Sequence, residues 1–456
     1  MVPGNKKEVG SLKLNYKRTM LIGLAFLSIS AFWQMYDGVI PKILTNENTF
    51  NLGESVSGLL MAADNVLALF LLPLFGTLSD KCRSRLGRRT PYILVGTILA
   101  AVLMNLLPLI DNSNAAVPAS WKLPLFIGVL LTLLVSMSIY RSPAVALMPD
   151  VTPKPLRSKA NAVINLMGAV GGILYLIIAM VLYPDKATRG LDHVNYQTLF
   201  LVVSGIMVLA VAVLLLTVRE PKLAEENARY EQAHPEENLA QADETGREVL
   251  PKPVKRSLLF LLLSVAFWYV GYNGITTWFT KYAEKMWHME IGSASKCLTI
   301  AMVGAIVSYL PAGMLATRFG RKKTILAGVG LLAATFCSCF VYTLFSDAFS
   351  PALYVIFVLV GMAWATINVN SLPMVVEMCK KSDVGKFTGY YYAFSMAAQI
   401  VTPVVAGWLL EHVDYRALFP YATAAVVCAL VTMTQVRHGD SKAPVKRGLE
   451  AFEDMD

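Results

Sequence analysis

The chain has 456 residues, 55% of them hydrophobic and 16% charged, with a mean hydropathy of +0.54. That composition lies outside the range of ordinary soluble domains. The net charge of +9 would suit a nucleic-acid partner if it formed one surface, but the basic residues are dispersed over short segments between apolar runs, so no nucleic-acid role is expected.

A helical span needs about 20 apolar residues to cross about 30 Å of hydrocarbon. Twelve runs qualify: 19–41, 55–79, 91–111, 122–148, 160–183, 196–218, 257–280, 294–317, 324–345, 351–376, 385–411 and 416–436. The expected fold class is all-α and polytopic. An N-terminal six-helix bundle covers 1–218, a cytoplasmic linker 219–256, and a C-terminal six-helix bundle with a short tail 257–456. On this topology 31 of the 40 Lys and Arg lie on one side; the other side holds Lys42, Lys122, Lys186, Arg189, Lys281, Lys285, Lys296 and Arg416, and Arg141 lies within a span. The positive-inside rule then puts both termini in the cytoplasm of a multi-pass cell-membrane protein, with a bacterial inner membrane as the expected setting. The basic tail before Leu21 runs into a full-length span with no small-residue cleavage pattern, and reads as a retained first helix.

In chain order, the first span carries Trp33, Gln34, Tyr36 and Asp37, and the second carries Asp64 and Asn65. A carboxylate in hydrocarbon is costly and is expected to serve a function, although Asp37 lies near enough to Pro41 for solvation to be the bland alternative. For Asp64 the bland alternative is a packing hydrogen bond. The hairpin that follows, GTLSDKCRSRLGRR over 76–89, returns as Gly313 to Lys323, and Gly76 to Gly313 is 237 positions. Tyr36-Asp37-Gly38 and Tyr272-Asn273-Gly274 stand 236 apart, so the chain reads as a duplication of two membrane halves, a design whose paired helices line a shared cavity.

The fourth span ends with Arg141 about nine residues, roughly 13 Å, before its cytoplasmic end. Its guanidinium either lines a site or snorkels to the surface. Asn161, Asn165, Gly168 and Gly172 repeat along one face of the fifth span, with the glycines reading as packing. The linker is charged and reads as a partly flexible tether with a short helix around 224–233. The seventh span offers Trp268, Tyr269, Tyr272 and Asn273, the tenth Trp364 and Asn368, and the eleventh Tyr391, Ser395, Gln399 and Thr402. The six cysteines show no metal-ligand spacing and no disulfide is expected. No cofactor or metal is called for, and no nucleophile, base and orienting group share a pocket, so the chain does not read as an enzyme.

The paired hairpins resemble the loop motif of the major facilitator superfamily. The segment Ser79 to Pro91, with Asp150-Val-Thr-Pro and Asn161, is similar to the glycoside-pentoside-hexuronide:cation symporters and the sucrose/proton symporters. The resemblance implies two six-helix bundles around a central site opened alternately to each side. It also implies a gating cluster of Asp80, Arg88 and Asp150, matched by Arg321 and Glu377 in the second half, where Thr317 replaces the first acid. Melibiose-type members carry more intramembrane acids than this chain, and the plant sucrose carriers have a fourth-helix acid with no counterpart before Asp150.

All five histidines fall in loops or at span ends, so proton coupling is assigned to Asp64 or Asp37, with sodium disfavoured by the small number of acids. The resulting expectation is a monomeric proton-coupled symporter of a sugar, a di- or oligosaccharide or glycoside, working in a lipid bilayer. Expected substrate ligands are Asp37, Asp64, Asn65, Arg141, Asn161, Asn165, Tyr269, Asn273, Trp364, Asn368 and Gln399. The alternatives are a drug/proton antiporter, whose usual Gly-Pro pair is missing from the fifth span, and a non-transporting nutrient sensor of the same fold.

Overall fold

The computed structural model describes residues 14–153, 156–233, 251–378 and 384–440. Among these, twelve long helices are apolar enough to cross a membrane. They are α1 Tyr16–Leu44, α2 Glu54–Asp80, α3 Thr90–Ala116, α4 Lys122–Asp150, α5 Arg157–Leu182, α6 Gln197–Thr217, α7 Lys252–Trp287, α8 Ile291–Phe319, α9 Arg321–Phe345, α10 Leu353–Glu377, α11 Val384–His412 and α12 Leu418–Thr434. Several outrun their apolar stretch. The seventh has 36 residues, roughly 54 Å at 1.5 Å each, because Lys281, Glu284 and Lys285 continue the helix beyond hydrocarbon where they find ionic partners. Interior prolines, such as Pro73, Pro143 and Pro403, are accommodated within the bundle.

The twelve helices form two six-helix bundles. One hydrophobic core gathers α1 to α6 around Phe32, Phe126, Tyr140 and Phe200, and a second gathers α7 to α12 around Trp268, Trp278, Phe336 and Phe419. Across the seam, Ala162 of α5 joins a small core with Ala305 and Tyr309 of α8 and Ala365 and Val369 of α10. Outward-facing apolar side chains such as Val102, Leu209, Val307 and Phe345 form the surface that lipid covers, since bilayer-facing positions have no reason to be polar. Five cysteines are free thiols; Cys379 lies outside the described residues.

The first part of the linker is not a bare tether. Glu220–Ala233 is a helix docked under the first bundle by Arg157 to Glu231 at 3.0 Å and by Asn227, whose amide donates to the Asp150 carbonyl at 3.1 Å.

Candidate functional site

On the face bearing the basic hairpins, the helix start of α3 dictates the arrangement. Its N-cap is Arg89, whose side chain offers no acceptor, so the first backbone N–H groups need one from elsewhere. Glu220 supplies it: its carboxylate accepts from the N–H of Arg88 at 2.8 Å, Arg89 at 2.9 Å and Thr90 at 2.8 Å. Gly87 has φ +114°, and a side chain there would also collide with Glu220, so only glycine fits. The second half repeats the device with different spacing. Gly320, at φ +93°, precedes α9, and Asp440 accepts from Lys322 N–H at 2.8 Å.

The charge cluster differs from the expected one at its centre. Asp80 pairs with Arg89, not Arg88. Arg89 is 5% exposed and also donates through Nε to Asp150 at 2.7 Å, whereas the Arg88 side chain is 43% exposed and, among the described residues, pairs with Asp150 alone, at 2.8 Å. Burial works against the Arg89 charge, but the bonds to Asp150 and Asp80 more than offset it and hold the guanidinium pKa above its ordinary value. In the second half Arg321 pairs with Glu377 at 2.7 Å.

Midway along the first bundle, Arg141 lies over the Trp33 ring at 5.8 Å, a cation–π contact. Trp33 is well over halfway along α1, so the guanidinium reaches toward mid-membrane instead of snorkelling to the basic face. Asp64 lies within electrostatic reach of Arg141, and Asp37 within reach of Asp64. Asn65 donates its side-chain amide to Asp64 Oδ1 at 2.8 Å. Asp37 makes no hydrogen bond or ion pair among the described residues. Asn161 and Asn165 are half-buried on α5. Of the α5 glycines, Gly168 abuts Ser30 and Phe26 of α1, whereas Gly172 faces Met302 of α8.

In the second bundle Tyr272 stacks on Trp364 with centroids 3.6 Å apart and planes 5° from parallel. One Trp364 face is therefore taken. Tyr269 is packed edge-on against Trp364 and Tyr391 and is 8% exposed, so the half-buried Tyr272 is the more open ring, a residue absent from the expected ligand set. The Nδ2 groups of Asn273 and Asn368, and Nε1 of Trp33, are buried donors with no hydrogen-bond partner among the described residues. Gln399 donates to the Ser395 carbonyl at 3.4 Å, a bond within α11 that does not tie it to the other candidates.

The opposite, far face of the seam is shut. Lys42 of α1 meets Glu284 of α7 at 3.1 Å, Lys285 meets Glu47 at 2.8 Å, and the Ser55 N–H donates to Glu411 at 2.7 Å. Lys285 holds the Glu47 carboxyl below its usual range. Gly58 and Gly407 permit close approach of the halves: a Cβ on Gly58 would collide with the Pro403 carbonyl, and one on Gly407 with the Glu54 carbonyl. Gly58→Val should therefore penalise the shut far face by about 1–3 kcal/mol, a population shift of roughly 5–150-fold. Faster labelling of a cysteine introduced at Ser55 by an impermeant thiol reagent would show it; unchanged labelling would place closure elsewhere.

Twelve spans in two bundles, hairpins of matching grammar and charged groups buried at mid-depth define a membrane transporter of the major facilitator type. The chain belongs to the MFS/sugar transport protein family, whose pattern matches residues 45–436. It is 28% identical over 141 residues to the tetracenomycin C resistance and export protein of Streptomyces glaucescens, and 27% identical over 139 residues to the sucrose transport protein SUC3 of Arabidopsis thaliana. Those matches cover 30% and 28% of this chain, and 25% and 23% of the relatives, about a quarter of their length. A solved D-xylose-proton symporter superposes with TM-score 0.67 over 93% of this chain and 98% of its own, at 17% identity. The nucleoside transporter NupG superposes with TM-score 0.65 over 92% and 100%, at 13% identity. Likenesses at that identity establish the fold.

Proposed function

We propose that the chain is a proton-coupled symporter of a di- or oligosaccharide or glycoside, working as a monomer by alternating access, with the basic face cytoplasmic in a cell membrane. Residues 1–218 and 257–456 are the moving units and 219–256 joins them. The observation that carries this reading is the set of buried, unpartnered donors on Asn273, Asn368 and Trp33. Each such group costs about 1–3 kcal/mol while unmade, so it persists where a ligand or water brings the acceptor. An acceptor-rich polyol with an apolar ring face matches these donors, the Asp64–Arg141 pair and the Tyr272 ring. The family and the sucrose-carrier relative support the same substrate class.

Uptake of radiolabelled glucosides, galactosides and hexuronides into vesicles, with and without a proton gradient, tests it. Sodium-driven uptake that survives collapse of the proton gradient would overturn the coupling. Gradient-driven extrusion of planar aromatic compounds without sugar uptake would favour the export reading that the Streptomyces relative raises. Charge-assisted hydrogen bonds contribute about 1.5–3 kcal/mol each, so Arg141→Gln should weaken sugar affinity by about tenfold or more by calorimetry. Wild-type affinity in that variant would place the sugar elsewhere.

A further inference from the structure

We propose that a cavity on the far face, outside the shut mouth, is a second saccharide site built from both halves; it rests on the saccharide reading above for its ligand class. The cavity holds about 740 Å³, within the range of small-molecule sites. The first half contributes Asp185 and Arg189, from the segment after α5. The second contributes Trp287, Glu290, Phe349 and Tyr354.

The lining has the chemistry a sugar needs. Phe349 and Tyr354, with centroids 5.0 Å apart, form the aromatic wall; Lys296 lies over the Tyr354 ring at 4.8 Å, and Trp287, 5.8 Å from Phe349, backs the wall while packing against Phe279, Tyr282 and Phe419. Trp287 is 3% exposed, yet its Nε1–H is buried without a hydrogen-bond partner among the described residues. Asp185 Oδ1 is in the same condition. Glu290 makes no ion pair among the described residues, leaving an acceptor in the same lining as the Arg189 donor. Apolar ring, carboxylate acceptors and a guanidinium fork together recognise a neutral polyhydroxyl compound.

Other ligand classes fit less well. Glu284, the remaining acid of the lining, is held by Lys42 at 3.1 Å and Lys281 at 3.9 Å, and no cluster of three metal-ligating side chains exists among the described residues. A metal cation therefore lacks its ligand set. A phosphate or carboxylate would meet Arg189, and Lys296 over the Tyr354 ring, against the two carboxylates of Asp185 and Glu290.

The position sets the consequence. Arg189 already touches the second half, donating to the His288 carbonyl at 3.4 Å. A saccharide filling the cavity adds bonds to both halves on the side that must part when the far mouth opens. It binds the shut state and shifts the equilibrium toward it by its differential affinity, so excess sugar on that side slows uptake.

The test places a thiol in the exposed wall with Ala348→Cys and labels it from the far side with an impermeant maleimide, using a panel of mono- and disaccharides as protectants. At ten times the dissociation constant, a protecting sugar should slow labelling about tenfold by mass action. Protection should survive addition of Arg141→Gln, which disables the central site, and vanish with Arg189→Gln plus Glu290→Gln. Absence of protection by every sugar overturns the proposal, as does protection lost through Arg141→Gln alone or retained in the Arg189 and Glu290 double variant. Uptake of the same panel is measured in parallel: no uptake with protection intact removes the transport reading while the far-face site stands.

Discussion

Arg89→Gln is expected to damage the protein far more than Arg88→Gln, although the two arginines are adjacent in one basic hairpin. Arg89 is 5% exposed and joins α2 to α4 through Asp80 and Asp150, while its Nη1 also donates to the Gly76 carbonyl at 3.2 Å. Removing one partner of a buried pair costs about 3–5 kcal/mol, because the remaining charge keeps its burial without its compensation. Arg88 can still neutralise Asp150, and Asp80 is 54% exposed, so the lower end of that range applies. Arg88 is 43% exposed, and a pair so open to water contributes at most about 1 kcal/mol. Thermal unfolding in detergent and uptake rate should both rank the variants in that order, with sugar affinity in the surviving folded protein unchanged. Equal effects, or a larger loss in Arg88→Gln, would show that the hairpin is held by something other than Arg89.

Why that distinction is hidden in the sequence is a matter of range. Spans are legible because hydropathy is local: a long apolar run announces itself. The choice between Arg88 and Arg89 depends on the positive φ of Gly87 and on Glu220, 131 positions beyond Arg89, whose carboxylate completes the α3 helix start. One acid among several after the sixth span gives little local warning of that role. The clue is the N-cap itself, since α3 begins behind an arginine and must borrow its acceptor.

Helix ends escape the sequence for a related reason. Counting apolar residues stops α7 at 280, but Lys281, Glu284 and Lys285 extend it to Trp287, Lys281 pairing with Glu284 along the helix while Glu284 and Lys285 pair across the seam with Lys42 and Glu47. The intramembrane charges are legible as residues of interest, because any ionisable group at that depth is expensive. Their pairing is not. Likewise Tyr269 and Tyr272 are indistinguishable by type; only the packing shows that Tyr269 is wedged between two rings while Tyr272 is half-open.

The charges at mid-depth lead to the coupling residue. Arg141 lies within reach of Asp64, which also accepts from Asn65, so that acid has both a counter-charge and hydrogen bonds. Asp37 feels the Asp64 charge and has no hydrogen bond or ion pair among the described residues. Two carboxylates and one guanidinium leave one negative charge uncompensated, and an uncompensated charge within a span is costly. One proton removes that charge, whereas sodium needs several oxygen ligands, and no third acid joins the pair among the described residues. Asp37 is therefore the group we assign to the proton, with Asp64 and Arg141 left to the sugar. Asp37→Asn mimics the neutral form permanently, so substrate should still bind and exchange while the gradient loses its grip. For one proton per sugar, a gradient of one pH unit supplies about 1.36 kcal/mol and sustains at most about tenfold accumulation. In reconstituted vesicles the Asp37→Asn variant should equilibrate near unity, with counterflow retained. Continued accumulation near the wild-type limit would remove Asp37 from coupling, and loss of accumulation confined to Asp64→Asn would move the proton to that residue.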